Sequence, residues 1–242
     1  MVLAGKVALV TGGAVRLGKA LALALADQGV RVVLHYGESL KAAEETAAAI
    51  RATGGVAEPI QADLRDAGEA TGLIERAAKR FGRVDILVNS AAVIGPAELE
   101  KATEALWDEQ FAVNLKAPFF LVRAFARHVG REGSGAIVNI ADWRAVRPGP
   151  DHIPYTITKA GVVAMTTSLA LALAPRIRVN AVAPGAILPP PGEGEAYLAR
   201  LAEQIPLKRH GEPADVAEAL LYLLRAEFVT GQVLFVDGGE HL

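Results

Sequence analysis

The sequence predicts an α/β protein built on a doubly wound parallel sheet of seven strands, with helices on both faces. Two features carry this prediction. Short apolar runs rich in Val, Ile and Leu alternate with longer Ala- and Leu-rich runs along the whole chain. Several of the longer runs stop at a glycine, a common residue after the last turn of a helix. Strands that alternate with helices form parallel sheets, and right-handed crossovers cover both faces of such a sheet.

The expected elements follow in chain order. Short apolar runs place strands at residues 7–10, 31–36, 56–61, 84–88, 135–141, 177–182 and 233–236. Helical runs cover residues 19–28, 40–53, 66–81, 103–129, 154–174 and 195–204, and the first three stop at Gly29, Gly54 and Gly82. No linker, repeat or low-complexity stretch divides the chain, so residues 1–242 are expected to form one domain.

Composition excludes several classes of function. The chain is 52% hydrophobic and 21% charged, and its net charge of −2 indicates no nucleic-acid or anionic-membrane surface. No apolar run is expected to reach the roughly 18 residues that span a bilayer. The chain has no cysteine, and its five histidines lack metal-ligand spacing. We therefore expect a cytoplasmic protein that acts on a small-molecule substrate and uses no metal, membrane or nucleic acid.

A glycine-rich turn follows the first strand. It reads Thr-Gly-Gly-Ala-Val-Arg-Leu-Gly over residues 11–18 and leads into a helix. Such a turn brings backbone N–H groups and a helix N-terminus onto a phosphate. Asp63, Asn89, Asp142 and Pro184 also follow predicted strands. In a Rossmann-type sheet, all these positions collect at the carboxyl ends of the strands, where ligands bind.

Tyr155 and Lys159 lie four residues apart at the start of a long apolar helix, so they share one face. A nearby ammonium favours the phenolate and lowers the pKa of the tyrosine, which predicts a proton donor near neutrality. Asn114 lies in another helical run, four residues before Pro118. Because proline has no N–H, the carbonyl of Asn114 is free to hold a water on a proton path. A packed ring and a bent helix remain the alternatives.

These motifs together resemble the short-chain dehydrogenase/reductase family. The resemblance spans nearly the whole chain: Thr11-Gly12…Gly18, Asp63, Asn89-Ser-Ala-Ala92, Asn114, Tyr155-x-x-x-Lys159, Asn180-Ala-Val-Ala-Pro184-Gly185 and Val236-Asp-Gly-Gly239. It implies a nicotinamide cofactor, hydride transfer, Tyr155 as proton donor, Lys159 on the nicotinamide ribose and Asn114 in a proton relay. The implied cofactor-binding residues are Gly12, Arg16, Leu17, Gly18, Tyr36, Ser39, Asp63, Leu64, Asn89, Ala91, Tyr155, Lys159, Pro184, Gly185 and Ile187. It also implies a homotetramer with interfaces at residues 103–129, 154–174 and 233–242.

Two departures narrow the resemblance. Arg16 replaces the usual middle glycine of the turn, and Asp142 replaces the usual catalytic serine, 13 residues before the tyrosine. With His35-Tyr36-x-x-Ser39, these changes are similar to the pteridine reductase and dihydromonapterin reductase branch. An ionised carboxylate only accepts hydrogen bonds, so Asp142 suits a substrate with N–H groups or a C=N bond that must be protonated. If burial raises its pKa, Asp142 shares a proton with Tyr155. The alternative is a loop cap in an inactive protein.

The other substrate contacts are less determined. The expected substrate-binding residues are Arg16, Ile94, Asp142, Trp143 and Tyr155. Ile94 stands where pteridine reductases place an aromatic ring, and Trp143 either replaces that ring or packs in its loop. Residues 187–205 are the predicted substrate lid, which begins with a Pro- and Gly-rich segment.

Cofactor choice depends on the end of the second strand. Tyr36 stands where NAD enzymes carry an Asp, while Arg16 and Ser39 offer a charge and a hydroxyl to a 2′-phosphate. Glu38 would repel that phosphate if it pointed inward. We expect NADP(H), with NAD(H) not excluded. The expected function is NADPH-dependent reduction of a dihydropteridine or dihydrofolate-type C=N bond. A carbonyl reductase and a non-catalytic nucleotide sensor are the alternatives.

Overall fold

Seven strands form one sheet in a computed structural model that describes residues 1–242. They are β1 Val7–Val10, β2 Arg31–Tyr36, β3 Ala57–Gln61, β4 Ile86–Asn89, β5 Gly135–Ile140, β6 Ile177–Pro184 and β7 Val233–Val236. Their order in space is β3-β2-β1-β4-β5-β6-β7, and every pairing is parallel. The predicted fold class is confirmed; the bounds of β1, β2 and β7 are as predicted, and those of the other four strands differ by one or two residues. The order reverses between β1 and β4, and ligands bind at such a switch point.

Helices lie on both faces of the sheet, and the chain forms eight α-helices in all. They are α1 Arg16–Asp27, α2 Leu40–Ala52, α3 Ala67–Phe81, α4 Glu104–Phe111, α5 Ala117–Val129, α6 Ile153–Leu173, α7 Glu195–Ala202 and α8 Pro213–Arg225. The single helix predicted over residues 103–129 is wrong in one respect. A five-residue π-helical segment, Ala112–Lys116, separates α4 from α5. This break falls at Asn114, just before the proline that cannot continue the hydrogen-bond ladder.

Helix α8 was not predicted from the sequence. It begins at Pro213, and Glu212 and Asp215 form a capping box around its first turn. Val216 and Leu220 lie on its buried face and belong to the hydrophobic core that it shares with α1. The local signals for a helix were present, namely a proline at the first position and an i, i+4 apolar pattern.

The hydrophobic core has two main layers, one on each side of the sheet. Leu25 of α1 and Leu220 of α8 lie in the layer on one face, and Leu73 of α3 and Phe125 of α5 lie in the layer on the other. The central strands are buried on both faces, which explains why their sequences are continuously apolar rather than alternating.

Helix α6 corrects one expectation. It has 21 residues and contains an 18-residue window with a mean hydropathy of 1.4, so it is long and apolar enough by composition to span a membrane. The buried residues of α6, however, include Thr158, Lys159 and Thr166. The helix packs on β6, and its buried face carries polar groups with partners inside the protein. These contacts identify α6 as a core helix of the domain.

Candidate active site

The first turn of α6 holds Tyr155 against Asp142. The phenol Oη donates a hydrogen bond to Asp142 Oδ2 at 2.8 Å. Asp142 follows β5, and its other oxygen, Oδ1, accepts from the backbone N–H of Arg144 at 2.9 Å. The carboxylate therefore caps the short turn Trp143–Ala145 and contacts the phenol at the same time. Asp142 therefore both caps its loop and contacts Tyr155, two arrangements that the sequence offered as alternatives.

The expected pKa shift of Tyr155 is wrong in direction. Burial raises the pKa of the phenol well above its ordinary value, and the charge and hydrogen bond of Asp142 raise it further. Lys159 does not reverse this shift, because its Nζ lies 5.6 Å from the ring centroid and donates to the carbonyl of Ile140 at 2.8 Å. Tyr155 is therefore a neutral phenol that carries a proton at physiological pH.

Lys159 is only 3% exposed. Burial lowers its pKa to about 8, and the nearby charge of Asp142 opposes that shift. The ammonium form predominates at neutral pH and begins to lose its proton just above it. A buried cation of this kind can hold a ligand hydroxyl near the phenol.

Asn114 connects three parts of the site. Its Oδ1 accepts from the N–H of Val93 at 2.8 Å, and its Nδ2 donates to the carbonyl of Val93 at 2.9 Å. The same Nδ2 lies 3.3 Å from Thr158 Oγ1, which donates to the carbonyl of Tyr155 at 2.7 Å. The side chain is thus committed to protein partners, and the backbone carbonyl of Asn114 stays the predicted water ligand. Thr158, which sequence reasoning missed, links this network to α6.

The predicted cofactor residues line the carboxyl edge of the sheet. They lie at or after five strand ends: Gly12, Arg16, Leu17 and Gly18 by β1; Tyr36 and Ser39 by β2; Asp63 and Leu64 by β3; Asn89 and Ala91 by β4; Pro184, Gly185 and Ile187 by β6. Tyr155 and Lys159 of α6 complete the set. The structure therefore brings the whole set to one edge, although the roles themselves stay predictions.

The glycine-rich turn packs too closely against protein backbone to allow a side chain at Gly12 or Gly18. Gly12 has a φ of 64°, and a Cβ there would lie 2.9 Å from Ala91 Cα. A Cβ on Gly18 would lie 2.1 Å from the carbonyl oxygen of Gly12. Helix α1 has no side-chain cap and no acidic residue in its first turn. Its free N–H groups and its dipole therefore suit an anion such as a dinucleotide pyrophosphate.

His35 fixes the conformation of this turn. Its Nδ1 accepts from the N–H of Gly12 at 3.1 Å, which leaves Nε2 to donate to the carbonyl of Ala62 at 3.1 Å. Burial lowers the pKa of His35 to about 4, so the ring is neutral at physiological pH. The sequence marked His35 only as part of a family motif, because its partners Gly12 and Ala62 lie just beyond the ends of β1 and β3, far from it in the chain.

The end of β2 holds a charge pair that the sequence did not reveal. Arg65 Nη2 lies 3.4 Å from Glu38 Oε1, and Arg65 Nε donates to Asp63 Oδ1 at 2.9 Å. Glu38 is therefore partly neutralised by a cation from the end of β3. Ser39 makes no capping hydrogen bond at the start of α2, which leaves its hydroxyl available to a ligand.

Arg16 adopts a conformation that ordinarily favours glycine. Its φ of 52° lies in the left-handed region, which costs a side-chain-bearing residue about 1–2 kcal/mol. Its guanidinium Nη2 donates to the carbonyl of Pro189 at 2.7 Å. Arg16 thus ties the glycine-rich turn to the predicted lid, a contact between residues far apart in sequence.

The other residues near the predicted substrate site differ in whether they already have partners within the protein. Ile94 is 63% exposed and available for contact. Trp143 lies under the guanidinium of Arg144 at 5.1 Å. Arg144 itself forms a two-point ion pair with Asp151, at 2.9 and 3.1 Å, and Arg147 bonds to the C-terminal backbone. Both arginines are therefore engaged within the protein.

Comparison with known proteins agrees with this geometry. A family model described as enoyl-(acyl carrier protein) reductase matches residues 13–241. The chain is 40% identical to granaticin polyketide synthase putative ketoacyl reductase 2 of Streptomyces violaceoruber, over 98% of this chain and 96% of the relative. It is 36% identical to 3-oxoacyl-acyl-carrier-protein reductase FabG of Staphylococcus aureus, over 98% of each chain.

Two solved structures are similar over almost their full length. FolM alternative dihydrofolate reductase 1 from Brucella canis, complexed with NADP, is 38% identical with a TM-score of 0.94, over 99% of this chain and 95% of that one. A short-chain dehydrogenase/reductase from Serratia marcescens is 33% identical with a TM-score of 0.92, over 100% of both chains.

Proposed function

The chain belongs to the short-chain dehydrogenase/reductase family, and on that premise we propose that it is an NADPH-dependent reductase of a dihydropteridine or dihydrofolate-type C=N bond. One observation carries the choice of substrate. The group that contacts the phenol of Tyr155, at 2.8 Å, is the carboxylate of Asp142 rather than a hydroxyl.

The chemistry of that carboxylate distinguishes the two kinds of reduction. A carbonyl that accepts a hydride becomes an alkoxide, and an ionised carboxylate beside it repels that charge and offers it no hydrogen bond. A C=N bond in a pterin ring is flanked by N–H groups, which a carboxylate accepts. Asp142 therefore favours a nitrogen heterocycle over a ketone.

The residues present fit a nicotinamide dinucleotide. The uncapped N-terminus of α1 and the glycine-rich turn before it would hold the pyrophosphate, and Lys159 would hold a ribose hydroxyl. When bound, the reduced nicotinamide supplies a hydride to the substrate. The crystal structure of the Brucella canis relative contains NADP. In this chain, Arg65 reduces the repulsion that Glu38 would exert on a 2′-phosphate.

The chain's own residues supply the proton. Tyr155 is a neutral phenol whose proton points at Asp142, so phenol and carboxylate form one proton-donating pair. A substrate N–H that binds Asp142 neutralises part of its charge, which lowers the pKa of Tyr155 and makes the phenol a better acid. Proton release is thereby coupled to the binding of the correct substrate.

Reduction of a 3-oxoacyl thioester is the second candidate. It is supported by the names of two relatives that are 36% and 40% identical over nearly the whole chain. Asp142 opposes this reaction, because an ionised carboxylate repels the alkoxide that forms when a ketone accepts a hydride. The two candidates use the same cofactor and the same phenol, so only the substrate separates them.

The proposal extends to the assembly and the lid. The predicted homotetramer is supported by the half-exposed edge strand β7 and by a groove between α5 and α6. The groove is lined by Phe119, Val122, Arg123, Ala126, Arg127, Leu169 and Leu173. Residues 187–205 would close over the substrate, with Arg16 as their contact at Pro189. We place the enzyme in the cytoplasm, where nicotinamide cofactors are regenerated.

A substrate screen tests the proposal. NADPH consumption is followed at neutral pH with dihydrobiopterin, dihydrofolate and acetoacetyl thioester, and the products are identified by chromatography. Tetrahydropterin or tetrahydrofolate formation supports the proposal. Turnover of the thioester alone supports the second candidate, and tight NADPH binding without any turnover supports a nucleotide sensor.

A further inference from the structure

Residues 237–242 form a tail after β7 that is held by several hydrogen bonds. The carboxylate of Asp237 accepts from the N–H of Gly239 at 3.0 Å and from the N–H of His241 at 2.9 Å. The imidazole of His241 lies 2.7 Å from the same carboxylate and stacks on the ring of Phe235 at 4.1 Å. The tail therefore has a defined conformation, and Glu240 projects from a fixed position within it.

Arg147, on the loop that carries Asp142, forms hydrogen bonds with this tail. Its Nη1 donates to the carbonyl oxygen of Glu240 at 2.6 Å and to that of Leu242 at 2.7 Å. Arg147 follows Asp142 by five residues, so the tail lies beside the loop of the candidate active site. Burial raises the pKa of Glu240 above its ordinary value, and the charges of Asp237 and Asp142 add to that shift.

The side chain of Glu240 turns toward the start of the lid. Its Oε2 accepts from the N–H of Ala186 at 3.1 Å, directly after the end of β6. A Cβ on Gly185 would lie 2.6 Å from that oxygen, so the glycine provides the space that the carboxylate occupies. The other oxygen, Oε1, has no hydrogen-bond partner in the protein, and no basic side chain pairs with Glu240.

We propose that Glu240 is a second substrate-binding carboxylate, which accepts an N–H from the far end of the heterocycle whose near end binds Asp142. The class of ligand is a ring with an amidine- or guanidine-like edge, such as a 2-amino-4-oxopyrimidine. Arg144 pairs with Asp151, and Arg147 donates to the backbone carbonyls of Glu240 and Leu242, so neither guanidinium pairs with the carboxylate of Glu240. The inference deepens the proposed function and rests on it.

The test removes the negative charge of Glu240 and keeps the shape of its side chain. Glu240→Gln retains an oxygen for the Ala186 N–H but loses the anion, and Glu218→Gln, on the exposed face of α8, is the matched control. The Kd of pterin is measured by fluorescence in the presence of NADP⁺, with the Kd of NADP⁺ and the thermal midpoint as controls. We expect Glu240→Gln to raise the Kd of pterin about tenfold, whereas Glu218→Gln leaves that Kd unchanged.

A second ligand keeps the test independent of folding. Lumazine carries an oxygen in place of the 2-amino group of pterin. Wild type is expected to bind pterin more tightly than lumazine, and Glu240→Gln is expected to lose that preference. Equal pterin affinity in wild type and Glu240→Gln, or an unchanged preference, overturns the role of Glu240 alone. Failure of the wild type to bind any pterin overturns the proposed function together with this inference.

Discussion

Replacing Asp142 with serine tests the feature that separates this chain from the commoner pattern of its family. The substitution removes a carboxylate that accepts from the phenol of Tyr155 at 2.8 Å and installs a hydroxyl that can donate to an oxyanion. A charge-assisted hydrogen bond to a substrate N–H contributes about 1.5–3 kcal/mol. Its loss lowers kcat/KM for a dihydropterin by about tenfold to a hundredfold.

The same substitution should spare or improve ketone reduction. Serine removes the repulsion at the developing alkoxide, and loss of the Asp142 charge lets the pKa of Tyr155 fall toward its ordinary value. The assay compares kcat/KM for dihydrobiopterin and acetoacetyl thioester in wild type, Asp142→Ser and the isosteric Asp142→Asn. Undiminished dihydropterin reduction in the serine variant would refute the role of Asp142 as a substrate ligand.

Four further results follow from the geometry. Tyr155→Phe should lose most turnover yet bind NADP(H) normally, so near-normal steady-state rates would exclude Tyr155 as proton donor. Arg16→Ala should narrow a preference for NADPH over NADH in fluorescence titrations, and a wild type that binds NADH more tightly would reverse the cofactor assignment. Cofactor affinity should weaken as pH rises through about 8, where Lys159 loses its proton; a flat profile from pH 7 to 9 would contradict this reading. The pKa of His35 is lowered from 6.5 to about 4, so this side chain binds a proton more readily in the unfolded chain. The unfolding free energy should therefore decrease as the pH is lowered from about 6.5 to about 4, by up to about 3 kcal/mol. Chemical denaturation of wild type and His35→Asn at pH 7, 5.5 and 4.5 checks this, because the variant should show a shallower fall.

The sequence predicted the sheet because its signals are local. Each strand is a short apolar run, and parallel order follows from the alternation of strands and helices. Only Pro118 indicated a break in the helix near Asn114. A proline removes one backbone hydrogen bond but does not determine that the helix accommodates the loss as a π-helical segment. Helix α8 was missed although Pro213 and the capping box were visible.

The sequence predicted which residues form the site better than it predicted their pKa values and charge contacts. Spacing placed Tyr155 and Lys159 on one face, but the pKa of the phenol depends on burial and on its distance to Asp142, which spacing does not give. The contacts of Arg65 with Glu38 and of Glu240 with Ala186 join residues 27 and 54 positions apart. Such pairs arise from tertiary packing and leave no local pattern.

Competition between two substrates in one solution tests the central proposal most directly. Wild-type enzyme receives limiting NADPH with equal concentrations of dihydrobiopterin and acetoacetyl thioester, and both products are quantified. The product ratio then equals the ratio of the two kcat/KM values, free of differences in enzyme concentration. The proposed function predicts that tetrahydrobiopterin predominates. A mixture dominated by the hydroxyacyl thioester would contradict it and assign the protein to carbonyl reduction.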